Sequence, residues 1–155
     1  MPHSLRSEIR QTRSFSSLQE EASLNLWRTS AAFEDGLAKL LRQHGVSAAQ
    51  YNVLRILRGA GAGGLCRNEI RDRLVARMPD VTRLLDRLEL LGLVRRARRT
   101  EDRRQVSTYL TDAGTALLQT LDTPVATENA RQWRHMTDVQ IRTFIELCTL
   151  ARHTD

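Results

Sequence analysis

Apolar residues recur at helical spacing from Leu18 to Leu41 (Leu18, Ala22, Leu26, Phe33, Leu37, Leu40, Leu41), which predicts a long helix ending near Gln43. Ser17-Leu18-Gln19-Glu20 has the pattern of a capping box at its start, and Gly45 ends it. A second box, Ser47-Ala48-Ala49-Gln50, opens a helix with Val53, Leu54, Ile56 and Leu57, and Val46 is placed to staple onto Tyr51. That helix stops in the glycine-rich turn from Gly59 to Gly64. A short helix follows from Cys66 to about Leu74, with Ile70 and Leu74 inward. After the turn Val75-Ala76-Arg77-Met78, Pro79 suits the first position of another helix, where its missing N–H costs nothing. There Val81, Leu84, Leu85, Leu88 and Leu91 share one face, while Asp80, Thr82, Arg83 and Arg87 lie on another, and Gly92 is the stop.

Beyond Gly92 the period changes. Leu93-Val94-Arg95-Arg96 predicts a short strand, Ala97 to Arg104 a charged tip, and Gln105 to Leu110 a half-buried returning strand. Thr111-Asp112-Ala113-Gly114 starts a helix with Leu117, Leu118, Leu121 and Val125, which Pro124 should kink. Thr137-Asp138-Val139-Gln140 caps a last helix with Ile141, Phe144, Ile145, Cys148 and Ala151 inward, and Met136 stapled onto Ile141. The chain is thus expected to be mainly α with one small β-hairpin. Residues 1–16 are basic without a following apolar run, which predicts a flexible N-terminal arm and no secretory signal, hence a cytoplasmic protein. No apolar run is long enough to cross a bilayer, so no membrane partner is expected.

Charge sharpens the picture. The formal net charge is +6, and twelve of the 24 basic residues fall between Arg67 and Arg104 against only seven of the 18 acids. Solvated surfaces usually mix signs, so this local bias favours a polyanionic partner. Two short helices joined by a turn and followed by a basic hairpin form a winged helix-turn-helix, over residues 46–110. The second of those helices would enter the major groove of double-stranded DNA. Arg77, Met78, Asp80, Thr82 and Arg83 would face base edges: Thr82 can donate, accept or touch a thymine methyl, and Arg83 can fork onto guanine. Arg87, one turn on, suits a phosphate. The hairpin arginines Arg98, Arg99, Arg103 and Arg104 would reach the adjacent minor groove, whose negative potential attracts guanidinium groups. Asp102 repels phosphate and is read as an acid that holds the tip, with Asp86 able to do the same for Arg104.

Pro79 to Glu89 followed by Gly92-Leu93-Val94-Arg95-Arg96 resembles the recognition helix and wing entry of the multiple-antibiotic-resistance regulator (MarR) family. Glu101-Asp102-Arg103-Arg104 is similar to that family's wing tip, and Leu110 to Gly114 to the start of its fifth helix. The resemblance implies a homodimer in which residues 17–45 and 111–153 form an all-helical dimerisation region. It implies a repressor that binds a near-palindromic operator and is released by a small aromatic effector. Trp27, Phe33 and Tyr51 are candidates for that pocket. It also assigns Arg104 to the wing, with Asp86 and Asp102 as acidic partners.

Other chemistries find little support. Cys66 and Cys148 form no CxxC pair, and the four histidines show no HxxxH or HExxH spacing, so no metal or other cofactor is expected. Gly61 to Gly64 lies between helices and lacks the lysine of a phosphate loop, and GxSxG is absent, which argues against an enzyme. Cys66 stands where the resembled family has Thr or Ser as a helix cap. A thiol at a helix N-terminus can be activated, so a redox-sensing regulator is the alternative reading. A winged-helix protein-interaction module would predict a neutral or acidic wing, against the eight arginines from Arg83 to Arg104.

Overall fold

A computed structural model describes residues 4–98 and 105–153. Within the segment expected to be a flexible arm lies one helical turn, α1 (Leu5–Glu8). Leu5 is buried, and Arg6 donates to the carbonyls of Gln11 and Thr12. Leu5 and Arg6 thus find partners, while residues 6–10 as a whole stay exposed. The long helix α2 (Leu18–Gln43) begins at Ser17, whose hydroxyl accepts the Glu20 N–H at 3.1 Å. The Glu20 carboxylate reaches one residue further back, to the N–H and hydroxyl of Ser16, both at 2.6 Å. Glu8 pairs with Arg28 of α2 at 3.7 Å.

In α3 (Ala48–Ala60) the capping box closes in both directions: Ser47 Oγ accepts from Gln50 N–H at 3.2 Å, and Gln50 Oε1 from Ser47 N–H at 2.8 Å. Val46 and Tyr51 are both buried, as a hydrophobic staple requires. A single 3₁₀ turn over Gly61–Gly63 leads into β1 (Leu65–Cys66) and α4 (Arg67–Arg73). Then come α5 (Val81–Leu90), β2 (Val94–Arg98), β3 (Val106–Leu110), α6 (Asp112–Trp133) and α7 (Asp138–Arg152).

The sheet differs from the predicted hairpin. Its order is β1-β3-β2, all antiparallel, with Leu65 opposite Thr108 and Cys66 opposite Ser107. β3 is therefore the central strand, and both Ser107 and Thr108 are buried while Val106 is exposed. Simple alternation fails because β3 has a strand on each edge and α3 and α4 packed against it. β2 runs on through Arg98, two residues further than its apolar content suggests, because its pairing extends to Arg98 opposite Val106. A two-residue strand such as β1 leaves no periodic signal.

One core gathers Leu41 of α2, Val53, Leu54 and Leu57 of α3, Ile70 of α4, the inner face of α5, Val94 of β2, and Leu118, Leu121 and Val125 of α6. Helix α6 continues through Pro124. By contrast no residue of α7 is buried: Ile141, Phe144 and Cys148 are half-buried, while Ile145 and Ala151, expected inward, are exposed. Leu91, also expected inward, is 52% exposed because α5 ends at Leu90 and the chain turns away. Among the described residues no helix is long and apolar enough to cross a membrane.

The start of α6 fixes the wing's base. Thr111 donates its N–H to Leu93 O at 3.2 Å and its hydroxyl to Gly92 O at 2.7 Å, and the same hydroxyl caps Gly114 N–H at 3.1 Å. The approach is so close that a Cβ on Gly114 would lie 2.2 Å from Leu93 O. Alanine favours helices over glycine by about 1 kcal/mol. Here Gly114→Ala is nevertheless expected to destabilise by about 1–3 kcal/mol, since backbone must move to admit the methyl group. A urea melt decides it: an unchanged or raised midpoint defeats this account of the contact.

Candidate nucleic-acid interface

Helix α5 buries Val81, Leu84, Leu85 and Leu88, all at helical spacing, and so turns Thr82, Arg83, Asp86 and Arg87 outward. Its first residue is Val81, two residues later than Pro79 predicts. Asp80 is the N-cap, and its Oδ1 accepts the Arg83 N–H at 2.9 Å. A carboxylate can satisfy an orphan helix N–H and oppose the positive end of the helix dipole, which proline cannot do. Asp80, expected to face bases, is thus engaged in holding the helix end. Met78, expected beside it, is partly buried and packs against the core. Thr82 is exposed, and its hydroxyl accepts from Arg67 Nη1 of α4 at 3.3 Å. The preceding turn is pinned by Val75 N–H donating to Asn52 Oδ1 of α3 at 3.0 Å.

Arg77, Arg83, Arg87 and Arg98 are exposed and, among the described residues, have neither an ion pair nor a side-chain hydrogen bond. Arg83 and Arg87, four apart on α5, share one face. Arg99, Asp102, Arg103 and Arg104 lie outside the described residues.

The tie between helix and wing runs through Asp86, an expected acid, and through Arg96 and Glu89, which the sequence pattern did not single out. Arg96 of β2 donates Nε to Glu89 at 2.8 Å and its backbone N–H to the same carboxylate at 3.0 Å. Its Nη2 also reaches Asp86 at 2.7 Å. Asp86 therefore does face the wing, but its partner in the structure is Arg96 in the strand; Arg104, the partner expected from the tip, lies outside the described residues. Asp86 and Glu89 are three apart and share a helix face. The chain reverses at Leu91–Gly92, which brings Arg96 across from that face; the reversal was the available clue. The Arg96 guanidinium holds the Glu89 carboxyl below its ordinary value, and Glu89 with Asp86 raises Arg96.

The effector candidates meet three different surroundings. Tyr51 is sealed in the core, Trp27 is 73% exposed, and Phe33 lies against Trp133 with ring centroids 4.7 Å apart. Trp133 in turn meets Phe144 at 5.2 Å, and the three rings border a groove of about 220 Å³. Cys66 is half-buried and caps α4, its N–H donating to Glu69 at 2.7 Å, and Cys148 is half-buried on α7. Among the described residues no group of three or more His, Cys, Asp or Glu side chains could hold a metal ion.

A family model described as MarR family matches residues 46–106, the segment from α3 through the start of β3. The crystal structure of a MarR transcription factor from Planctomyces limnophilus is 42% identical, covering 88% of this chain and 99% of that one, with a TM-score of 0.68. The chain belongs to the MarR family. Its members among the relatives are transcription regulators, not enzymes. The regulator TtmR of Methylorubrum extorquens is 39% identical over 106 residues, 68% of this chain and 53% of its own. The chain spans a little over half the length of such curated relatives. A mutant MarR of Escherichia coli, solved in complex with operator DNA, shares the fold at 24% identity, with a TM-score of 0.78 over 88% of this chain and 99% of that one.

In this MarR chain Glu89→Gln is expected to lower stability at neutral pH, by no more than about 1 kcal/mol because solvent screens the pair. The contribution of Glu89 is present above its unfolded pKa near 4.5 and is lost as pH falls through the lower folded value. Wild type and variant should therefore converge in thermal melts below that range. A gap that persists or widens in acid contradicts the Arg96–Glu89 assignment.

Proposed function

We propose that the protein is a cytoplasmic transcription repressor that binds a near-palindromic DNA operator as a homodimer and is released by a small molecule. The observation that carries this reading is Arg83 and Arg87 of α5 and Arg98 of β2, exposed and without an ion pair among the described residues, held on one buried frame. Arg83 forks onto a guanine edge and Arg87 holds a phosphate. Arg77 lies beside the entry of α5. Arg98, with Arg99, Arg103 and Arg104 beyond it, supplies minor-groove charge. Asp86 and Asp102 brace the wing.

Two copies place two recognition helices in successive major grooves about 34 Å apart. Supporting the dimer are Leu18, Trp27, Val139, Ile145, Leu147 and Leu150, all exposed in the single chain on α2 and α7. Apolar exposure on this scale favours burial against a partner. A dimer seated on a promoter excludes polymerase, which is why repression is the preferred reading over activation.

Selection of bound sequences from random duplexes at near-physiological salt tests the function. Arg83→Ala should relax preference at one base step by about 1–3 kcal/mol, whereas Arg104→Ala should weaken all sequences together. Equal affinities for wild type and both variants reject these roles, and failure to retain any duplex in dilute buffer rejects DNA binding. Light scattering should return about twice the 17.7 kDa chain mass; a monomer removes the two-half-site geometry.

A further inference from the structure

Four threonines on α6 and α7 settle their hydroxyl protons within the helix. Thr115, Thr120, Thr143 and Thr149 each donate to the carbonyl four residues back, at 2.9–3.0 Å. Thr82 has no such carbonyl in helical register, because it is the second residue of α5 and Met78 precedes the helix. Its hydroxyl accepts instead, from Arg67 Nη1 at 3.3 Å, and its own proton has no acceptor among the described residues. A guanidinium can only donate, whereas a hydroxyl has two lone pairs and one proton. The contact therefore fixes polarity: Arg67 takes one lone pair of Thr82 and leaves the proton for whatever α5 faces.

Both ends of this contact hang from anchored backbone, although both side chains are exposed. Arg67 is the first residue of α4 and follows Cys66, which is held in the sheet opposite Ser107. Thr82 is set by the Asp80 cap and by its buried neighbours Val81 and Leu84.

We propose that Arg67 is a positioning residue for sequence readout: by donating to Thr82 it makes that hydroxyl a donor and directs α5 to thymine. Thymine is the base whose major-groove edge presents an acceptor, O4, beside a methyl group. Threonine carries the matching pair, a hydroxyl and a methyl group on one carbon. Adenine N6 and cytosine N4 are donors, and the Thr82 oxygen meets them with one lone pair fewer. The inference rests on the reading of α5 as the recognition helix, and adds to it a residue of α4 and a base. A phosphate contact by Arg67 predicts something else, since phosphates carry no base identity.

Selection from random duplexes, then anisotropy titrations on the selected site and its single-base variants, separates these. Thr82→Val keeps the side chain's shape and removes the hydroxyl, so the position whose preference it changes is the one Thr82 reads. Wild type should favour thymine there over adenine and cytosine by about fivefold, the worth of about one hydrogen bond. Arg67→Ala should cut that preference below about twofold, with the guanine preference set by Arg83 and the thermal melt unchanged. Arg67→Met keeps the apolar stem and replaces the alanine variant if that one melts early. In a Thr82→Val background, Arg67→Ala should alter base preference no further. A preference for another base, or a thymine preference that survives Arg67→Ala, overturns the proposal. So does a uniform loss over all sequences with the salt slope lowered by about one, which marks a phosphate ligand. Those outcomes leave the DNA-binding reading standing. Failure of wild type to retain any duplex in dilute buffer removes that reading and this inference together.

Discussion

Burial of the inner face of α5 is the constraint on which the rest of the molecule depends. Val81, Leu84, Leu85 and Leu88 are each shielded from water, and each such side chain contributes about 1.5–3 kcal/mol. Because they occupy one stripe, the helix has a single rotational setting. That setting decides which side chains face outward: Thr82, Arg83, Asp86 and Arg87. Long cationic side chains on an exposed helix are common, but here their direction is dictated by a packed core shared with α3, α4, β2 and α6.

The wing depends on the helix in turn. A two-stranded ribbon alone is marginal in water, and β3 gains a third strand only through the short β1. Its orientation relative to α5 comes from polar contacts. One guanidinium on β2 is shared by two carboxylates of α5, and Thr111 stitches the first turn of α6 to Gly92 and Leu93. These contacts are partly solvent-exposed, so their value is geometric more than energetic. They give the recognition helix and the wing a common frame, while the two faces of β2 receive different chemistry: carboxylates on one, the Tyr109 ring on the other.

Away from that frame the chain is less self-contained. The N-terminal half of α2 and most of α7 leave large apolar side chains in water, including Trp27 at 73% exposure and Leu150 at 70%. Helix α7 has the capping box and amphipathic content of a packed helix, yet it buries no residue within its own chain. A periodic pattern records that a face wants burial; it does not record whether the covering surface belongs to the same chain.

The helices from α2 onward and most of their caps were legible in the order of residues alone, since Ser17, Ser47 and Thr137 act through neighbours three residues away. So were the recognition segment and the local excess of arginine, both of which are contiguous in the chain. The rest emerged from packing. The Arg96–Glu89–Asp86 tether, the β1 strand beside β3, and the burial of Ser107 and Thr108 all join residues separated by turns whose angles no local pattern fixes. The same holds for Tyr51, Trp27 and Phe33, whose aromatic character was plain but whose surroundings were not. Caps and periodicities act within one helical turn, and those the sequence carries. Sites are made where elements cross, and the crossing is set by how side chains fill the core.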